Sequence, residues 1–445
     1  MKKSSRKMNG HSIARSFTAT IIASLVLISC HKGDPSNNEN APSSYSSDVL
    51  DKWMTMQLRL MRNATGIPNQ TLSRHFAYTG IVALESLAPG LPANLNHYRK
   101  WNSLSGLPTI EHSVKYYYPA NVNAAMAAIN RSLFPTASVV DKAAIDSLET
   151  ALNNDFLTKE SQSIIAKSAE FGKAIASKVF SWSEFDGYKN ASGSYTPQTG
   201  PGFWVPTAPA YAAASTPYWG NNRNVVAGST INTLPEPPVS YSTEPSSLFY
   251  KMVKQVYDVS LTLTDDQKAM AIFWRDVPGV SSPGHWLSIT QQAIRQTNSR
   301  LDKAALAYAL TGAAVNDAVI SCWKAKYIYN LVRPITYIRD VMGHGTWISF
   351  LGTPPHPEYP SAHSVLSCAA GVILDKLFAI NGSFTDHTYD YLGFPPRTYS
   401  SFIAIGEEAG QSRLYAGIHY QPSIDAGIIQ GKKVANNIFP GTANR

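Results

Sequence analysis

Three short segments within the last 120 residues place basic, hydroxyl and imidazole groups where helical sequence would otherwise be apolar. In the first, Lys326-Tyr327-Ile328-Tyr329-Asn330-Leu331-Val332-Arg333-Pro334, the two cations are seven residues apart. That is almost two helical turns, so both project from nearly the same face, about 10 Å apart along the axis. Cations among apolar and aromatic neighbours call for an anion between or beside them, although the pair alone also reads as a solvated basic edge. In the second, Pro360-Ser361-Ala362-His363 precedes an apolar run from Val365 to Leu374. A proline and small residues at a helix start leave backbone N–H groups free at the positive end of the helix dipole, which suits an anion. Ser361 adds a hydroxyl, Ala362 is small enough to let its N–H approach a ligand, and His363 titrates near neutrality. Alone, this segment is equally a helix cap with a nearby histidine. In the third, Ser412-Arg413-Leu414-Tyr415-Ala416-Gly417-Ile418-His419, positions six apart fall on different faces of a continuous helix. Arg413 and His419 can share a pocket only if the chain turns, and Gly417 is a helix-ending residue. A lone histidine at such a junction also reads as structural.

Each segment has an ordinary explanation by itself. Together they would leave an unpaired excess of Lys, Arg and His in one helical body, and buried cations need partners. One tetrahedral or trigonal-bipyramidal oxyanion satisfies all of them.

The order and internal spacings, K-x6-R-P, then P-S-A-H, then S-R-x3-G-x-H, resemble the vanadium-dependent haloperoxidases and the acid phosphatases that share their fold. The segment Thr353–His363 extends the resemblance toward the haloperoxidases, which covers about residues 245–445, with a weaker likeness around Phe76–Gly90. The resemblance implies an all-α fold of two helical domains or bundles, with vanadate (vanadium V) as cofactor. It implies that His419 coordinates vanadium, that Lys326, Arg333 and Arg413 donate to the vanadate oxygens, and that Ser361 and the N–H of Ala362 complete the set. His363 corresponds to the acid/base that takes a proton from hydrogen peroxide. Bromide or iodide would be oxidised to hypohalous acid, which halogenates a small organic acceptor. Charge-assisted donors around a small oxyanion are the strong kind.

The chain departs from the family pattern in two places. Ala362 replaces a glycine, and the aspartate expected four residues after the last histidine is Ser423, with Asp425 two residues further on as the remaining candidate to orient His419. His356, seven residues before His363, stands where the resembling bromoperoxidases carry histidine and chloroperoxidases phenylalanine, which leans toward bromide or iodide. Trp323, a turn before Lys326, is expected beneath the pocket, as core or as a neighbour of the site. The alternative function is a secreted phosphatase with His419 as nucleophile and His363 as proton donor to the leaving group. A third reading, a lipid-anchored surface binder, leaves the basic cluster unexplained.

The elements that must position these groups are helices. Apolar residues recur at three- and four-residue spacings over 49–61 and near 76–88, 120–133, 141–155 and 160–182, and no convincing alternating strand pair appears. Residues 49–184 form an N-terminal helical domain, 185–245 a long Pro/Gly/aromatic-rich connection that marks the domain joint, and 246–445 the catalytic helical domain. In the last, Thr264 and Gln267 read as a capping box, and a long helix over 302–332 ends at Pro334. Further helices are expected over 361–379, 398–416 and 423–437.

The net charge of +8 does not call for an acidic partner. Lys2, Lys3, Arg6, Lys7 and Arg15 all precede Cys30, no acidic residue does, and loss of residues 1–29 leaves +3. Neither nucleic acid nor a membrane surface is expected as partner. The basic start, the apolar run from Phe17 to Ile28 and the ending Leu27-Ile28-Ser29-Cys30 resemble a lipoprotein signal peptide whose lipobox cysteine is acylated. Residues 31–48 read as a flexible tether, so the enzyme is expected to be exported and to meet the membrane only through its N-terminal lipid. An ordinary cleaved signal peptide is the other reading. Cys322 and Cys368 lie in apolar helical patterns and are expected as buried thiols rather than a disulfide.

Overall fold

Helical periodicity in the sequence becomes fourteen α-helices among the described residues of the computed structural model, which are 40–441 except His112, Ala379 and Asn381. The expected signal peptide and Cys30 lie outside them. The N-terminal half contributes α1 (Asp48–Asn63), α2 (Asn69–Glu85), a single turn α3 (Ala93–Asn96), α4 (Tyr118–Leu133), α5 (Val139–Phe156) and α6 (Gln162–Ser183). The C-terminal half contributes α7 (Leu248–Leu261), α8 (Asp265–Phe273), α9 (Ser282–Gln296), α10 (Leu301–Tyr329), α11 (Pro334–Asp340), α12 (Ala362–Leu377), α13 (Phe402–Tyr415) and α14 (Gln421–Ile438). A hairpin of three-residue strands, β1 (Phe384–Asp386) and β2 (Arg397–Tyr399), pairs antiparallel between α12 and α13.

The 29-residue α10 is the axis of the molecule. It is long and apolar enough to cross a membrane, yet its most apolar stretch is wholly buried by protein. It packs on α2 from one half and on α12 from the other. The crossing with α2 is so close that a Cβ on Gly80 would lie 2.5 Å from the Tyr308 carbonyl oxygen, and one on Gly312 would lie 2.8 Å from that of Phe76. One apolar core runs continuously from Val49 to Phe439 through both halves. A smaller one, around Phe249, Tyr337, Tyr420 and Ile424, lies behind the site.

Several helix boundaries differ from those read from sequence. The capping box at Thr264 and Gln267 is present. The long helix stops at Tyr329, earlier than expected, because Asn330 adopts the left-handed conformation (φ 47°), and Pro334 opens α11 rather than closing α10. The sequence places a domain joint at 185–245. The structure shows a packed strap, and all described residues belong to one compact unit. The strap buries Trp204 and Trp219. It is tied to the middle of α10 by the Asp317 carboxylate, which accepts from the N–H groups of Val225 (2.8 Å) and Val226 (3.1 Å) and from the Ser229 hydroxyl (2.7 Å). Cys322 and Cys368 are separate buried thiols.

Candidate functional site

Of the six side chains expected at the oxyanion, His363, Arg413 and His419 line one cavity beside the start of α12 and the α13–α14 turn, Arg333 touches His419 from the start of α11, and Lys326 and Ser361 are buried around the loop before α12. The turn solves the problem posed by the spacing of Arg413 and His419. Gly417 adopts φ 77°, its N–H bonds the Leu414 carbonyl (2.9 Å), and the Ile418 N–H reaches back to that of Arg413 (3.2 Å). These two bonds form a Schellman cap, which satisfies the last carbonyls of α13 and swings His419 back beside the arginine. Both residues line one cavity of about 430 Å³, together with Trp323, His356, Ala362 and His363.

His419 is 2 % exposed. Its Nδ1 lies 2.8 Å from Glu358 Oε1, so Nδ1 carries the proton and donates to the carboxylate. Nε2 keeps its lone pair and stands 3.3 Å from Arg333 Nη1. Burial, then the neighbouring Arg333 and Lys326, hold the imidazole pKa well below its ordinary value. The ring is therefore neutral and able to act as a metal ligand through Nε2. Asp425, the sequence candidate for orienting this ring, does not do so. It accepts from Gln421 Nε2 on the exposed side of α14. Four residues into a helix that starts at Gln421, its carboxylate points away from the turn that carries His419. Glu358 takes the role from a different segment, and also accepts from the Tyr420 N–H (2.9 Å) and the Ser423 hydroxyl (2.5 Å).

Lys326 is wholly buried, and its ammonium donates to the carbonyls of Pro357 (2.9 Å), Glu358 (3.0 Å) and Pro360 (2.6 Å). An ammonium has three N–H donors, and all three are used here. In this arrangement no donor of Lys326 is left over for an oxyanion. The residue clamps the loop before α12. Burial lowers its pKa to about 7 and raises that of Glu358 to about 7. The three donors on the carboxylate and the three carbonyls on the ammonium favour the ionised pair.

Arg333, also wholly buried, donates through Nε to the His356 carbonyl (2.9 Å), through Nη1 to that of Ile418 (2.8 Å) and through Nη2 to His356 Nδ1 (3.0 Å). Arg413 is held by the Ser412 hydroxyl (2.9 Å) and the Ala271 carbonyl (3.0 Å). Burial brings both guanidinium groups down to about 10, so they remain cations at neutral pH. Ser361 caps α12 and is fixed by its own N–H to the Ser423 carbonyl (3.0 Å). The first-turn N–H groups that α12 cannot satisfy internally open beside Ala362 and His363, both on the cavity wall. Three buried cations stand near one buried carboxylate, Glu358, a surplus of positive charge that a small oxyanion would balance.

His363 Nε2 lies 2.9 Å from the Trp274 carbonyl and 3.0 Å from the Ser282 hydroxyl. A carbonyl only accepts, so Nε2 carries the proton and Nδ1 is the free base. Burial and Arg413 push its pKa down to about 4. Asp276 Oδ2 stands 3.5 Å from the ring. His356 lines the cavity with its ring 5.0 Å from that of Trp323, which lines it too. Sequence reasoning missed Glu358, Asp276, Ser282 and the Trp274 carbonyl. The one available signal was Glu358, a carboxylate inside the otherwise uncharged run from Gly345 to Ala362.

The sequence model of the VCPO second helical-bundle domain matches residues 306–444. No curated protein matches the chain. Among solved structures, a bacterial vanadium-dependent iodoperoxidase superposes with a TM-score of 0.78 at 32 % identity, over 88 % of this chain and 96 % of that one. A holo-type bacterial vanadium-dependent chloroperoxidase superposes with a TM-score of 0.64 at 17 % identity, over 85 % and 94 %. Its apo-type counterpart gives 0.61 at 17 %, over 83 % and 94 %, and at that identity the likeness is one of fold.

Proposed function

This chain belongs to the vanadium-dependent haloperoxidase family, and from that premise we propose that it uses vanadate and hydrogen peroxide to oxidise bromide or iodide to hypohalous acid. One observation carries the reading. A neutral His419, held by Glu358 through Nδ1, presents Nε2 beside Arg333 at the edge of a cavity that Arg413 lines, and the buried cations Lys326, Arg333 and Arg413 outnumber the neighbouring buried carboxylate, Glu358. That donor set fits vanadate, with one imidazole nitrogen for the metal and guanidinium and backbone N–H groups for its oxygens. Vanadate bound there would supply activation of hydrogen peroxide toward halide with no change in its own oxidation state. The protein's part is electrostatic and acid–base. Arg333 and Arg413 hold negative charge, and Lys326 adds to the field while fixing the loop. His363 Nδ1, unprotonated above about pH 4, would accept a proton from hydrogen peroxide.

His356 on the cavity wall and the likeness to an iodoperoxidase both favour iodide and bromide over chloride. Export and lipid attachment at Cys30 are part of the same proposal and rest on the sequence. The test is to load the purified protein with orthovanadate and supply peroxide with each halide in turn. Iodide and bromide oxidation is expected to exceed chloride oxidation. His419→Ala should fail to retain vanadium, whereas His363→Ala should keep most of it and lose turnover. Equal vanadium content in wild type and His419→Ala would refute the ligand assignment, and phosphate-ester hydrolysis without halide oxidation would make the protein a phosphatase.

A further inference from the structure

The cavity is larger than the proposed reaction needs. At about 30 Å³ per water, its 430 Å³ would hold about fourteen waters, and an oxyanion of four or five oxygens displaces only about as many. The cavity lining includes Trp323, Leu351, Pro354, Pro355, Leu366 and Ile418, apolar surface that neither peroxide nor halide requires. Arg275 lies on the same wall, and its guanidinium makes no hydrogen bond or ion pair with any described residue; Nε is enclosed, so the two terminal nitrogens are the ones a ligand in the cavity can reach. Its guanidinium carbon stands 5.7 Å from the ring centroid of Phe394. The adjacent carboxylate does not satisfy it. Asp276 Oδ1 accepts from the Ser282 N–H (2.8 Å) and hydroxyl (2.9 Å), and Oδ2 faces His363. A guanidinium without an acceptor on a partly enclosed wall is satisfied best by an anionic oxygen.

We infer that the outer part of this cavity binds the organic acceptor as a small aromatic anion, with its ring against the Trp323 and proline wall and its carboxylate or phenolate oxygen on Arg275. The inference rests on the haloperoxidase reading for the oxidant. Hypohalous acid formed at the inner end meets the ring before it reaches solvent. A ring C–H bond breaks and a C–halogen bond forms, the hydroxide of the hypohalous acid leaves with the ring proton as water, and the carbon is oxidised as the halogen is reduced.

The probe is 4-hydroxybenzoate, with phenol as the comparison lacking the carboxylate. Equilibrium dialysis with the full-length, vanadate-loaded protein should show saturable binding of 4-hydroxybenzoate. Arg275→Gln should weaken it by roughly tenfold or more, and Arg275→Lys by less. In turnover with iodide and an equimolar mixture of the two, the enzyme should favour 4-hydroxybenzoate several-fold over the ratio given by reagent hypoiodite. Arg275→Gln should erase that preference and leave triiodide formation without an aromatic unchanged. Dialysis without saturation, or a wild-type ratio equal to that of the reagent, would overturn the inference. Loss of triiodide formation in wild type would instead count against the haloperoxidase reading, and the dialysis would still decide the site.

Discussion

At the scale of single residues, the site is organised by Glu358. Its carboxylate fixes the proton of His419, the start of α14 through the Tyr420 N–H, and Ser423, while its carbonyl takes one of the three bonds from Lys326. Glu358→Gln keeps the shape but removes the negative charge that fixes Nδ1–H of His419. The protein should still fold, because an amide oxygen can accept from the Tyr420 N–H. Vanadate affinity should fall about 10- to 100-fold, as is typical when the partner of a ligating histidine is altered. Isothermal titration with orthovanadate reads this, and unchanged affinity would show that Glu358 does not set the ring. The six side chains proposed to serve the oxyanion were legible in the sequence because their types are anomalous for helical core. Glu358 was not assigned, because its partner lies 61 residues away and no local pattern records such a pairing. Lys326 was legible as a site residue but not in its role, since the three carbonyls that occupy it come from a loop whose path sequence does not give.

At the scale of elements, close helix crossings transmit sequence into site geometry, and two glycines separate stability from function. Gly312 lies where α10 crosses α2, away from the cavity, and a Cβ there would come within 2.8 Å of the Phe76 carbonyl oxygen. Gly427 lies where α14 crosses the start of α12, and a Cβ there would be 2.7 Å from Ser364 Cβ and 2.8 Å from the Ser361 carbonyl oxygen. Either substitution by alanine forces backbones apart and should cost about 1–3 kcal/mol. Gly427→Ala also displaces the N-terminus of α12, with its Ser361 cap and free N–H groups. Thermal unfolding should show comparable losses, whereas vanadate titration should show a marked loss for Gly427→Ala alone. Parallel losses of affinity would mean that the start of α12 does not shape the site. Long periodic helices were readable because burial on one stripe leaves a spacing of three and four. The segment of α9 was not, because it begins Ser282-Pro283-Gly284 and buries polar residues such as His285 and Gln291 on both sides. Its first residue supplies the hydroxyl on His363. The hairpin β1–β2 escaped because three residues are too few for alternation to show.

At the scale of the whole molecule, the charge state of the interior decides how the protein responds to acid. Burial lowers four imidazoles, His75 to about 3, His363 to about 4, and His356 and His419 well below their ordinary value. Unfolded, each binds a proton near pH 6.5. Below that pH the unfolded chain takes up protons that the folded one refuses, so the stability tied to these groups is present above pH 6.5 and is lost as pH falls toward the folded values. Two carboxyls act in the opposite sense. Burial raises Asp317 to about 6 and raises Asp375 as well, so their contribution is fully present below about pH 4 and is lost as pH rises through their folded values. Four imidazoles outweigh two carboxyls, and each group contributes at most about 1.4 kcal/mol per pH unit. Vanadate-free protein should therefore show a melting temperature that falls steadily from pH 6.5 to 4.5 at constant ionic strength, by circular dichroism or calorimetry. His75 is remote from the cavity, packed edge-on against Phe134, so His75→Gln should reduce the slope without altering vanadate affinity. A flat profile across this window would mean that the folded protein protonates its buried histidines. A protonated His419 has no lone pair on Nε2, and the proposed metal ligand would be lost with it.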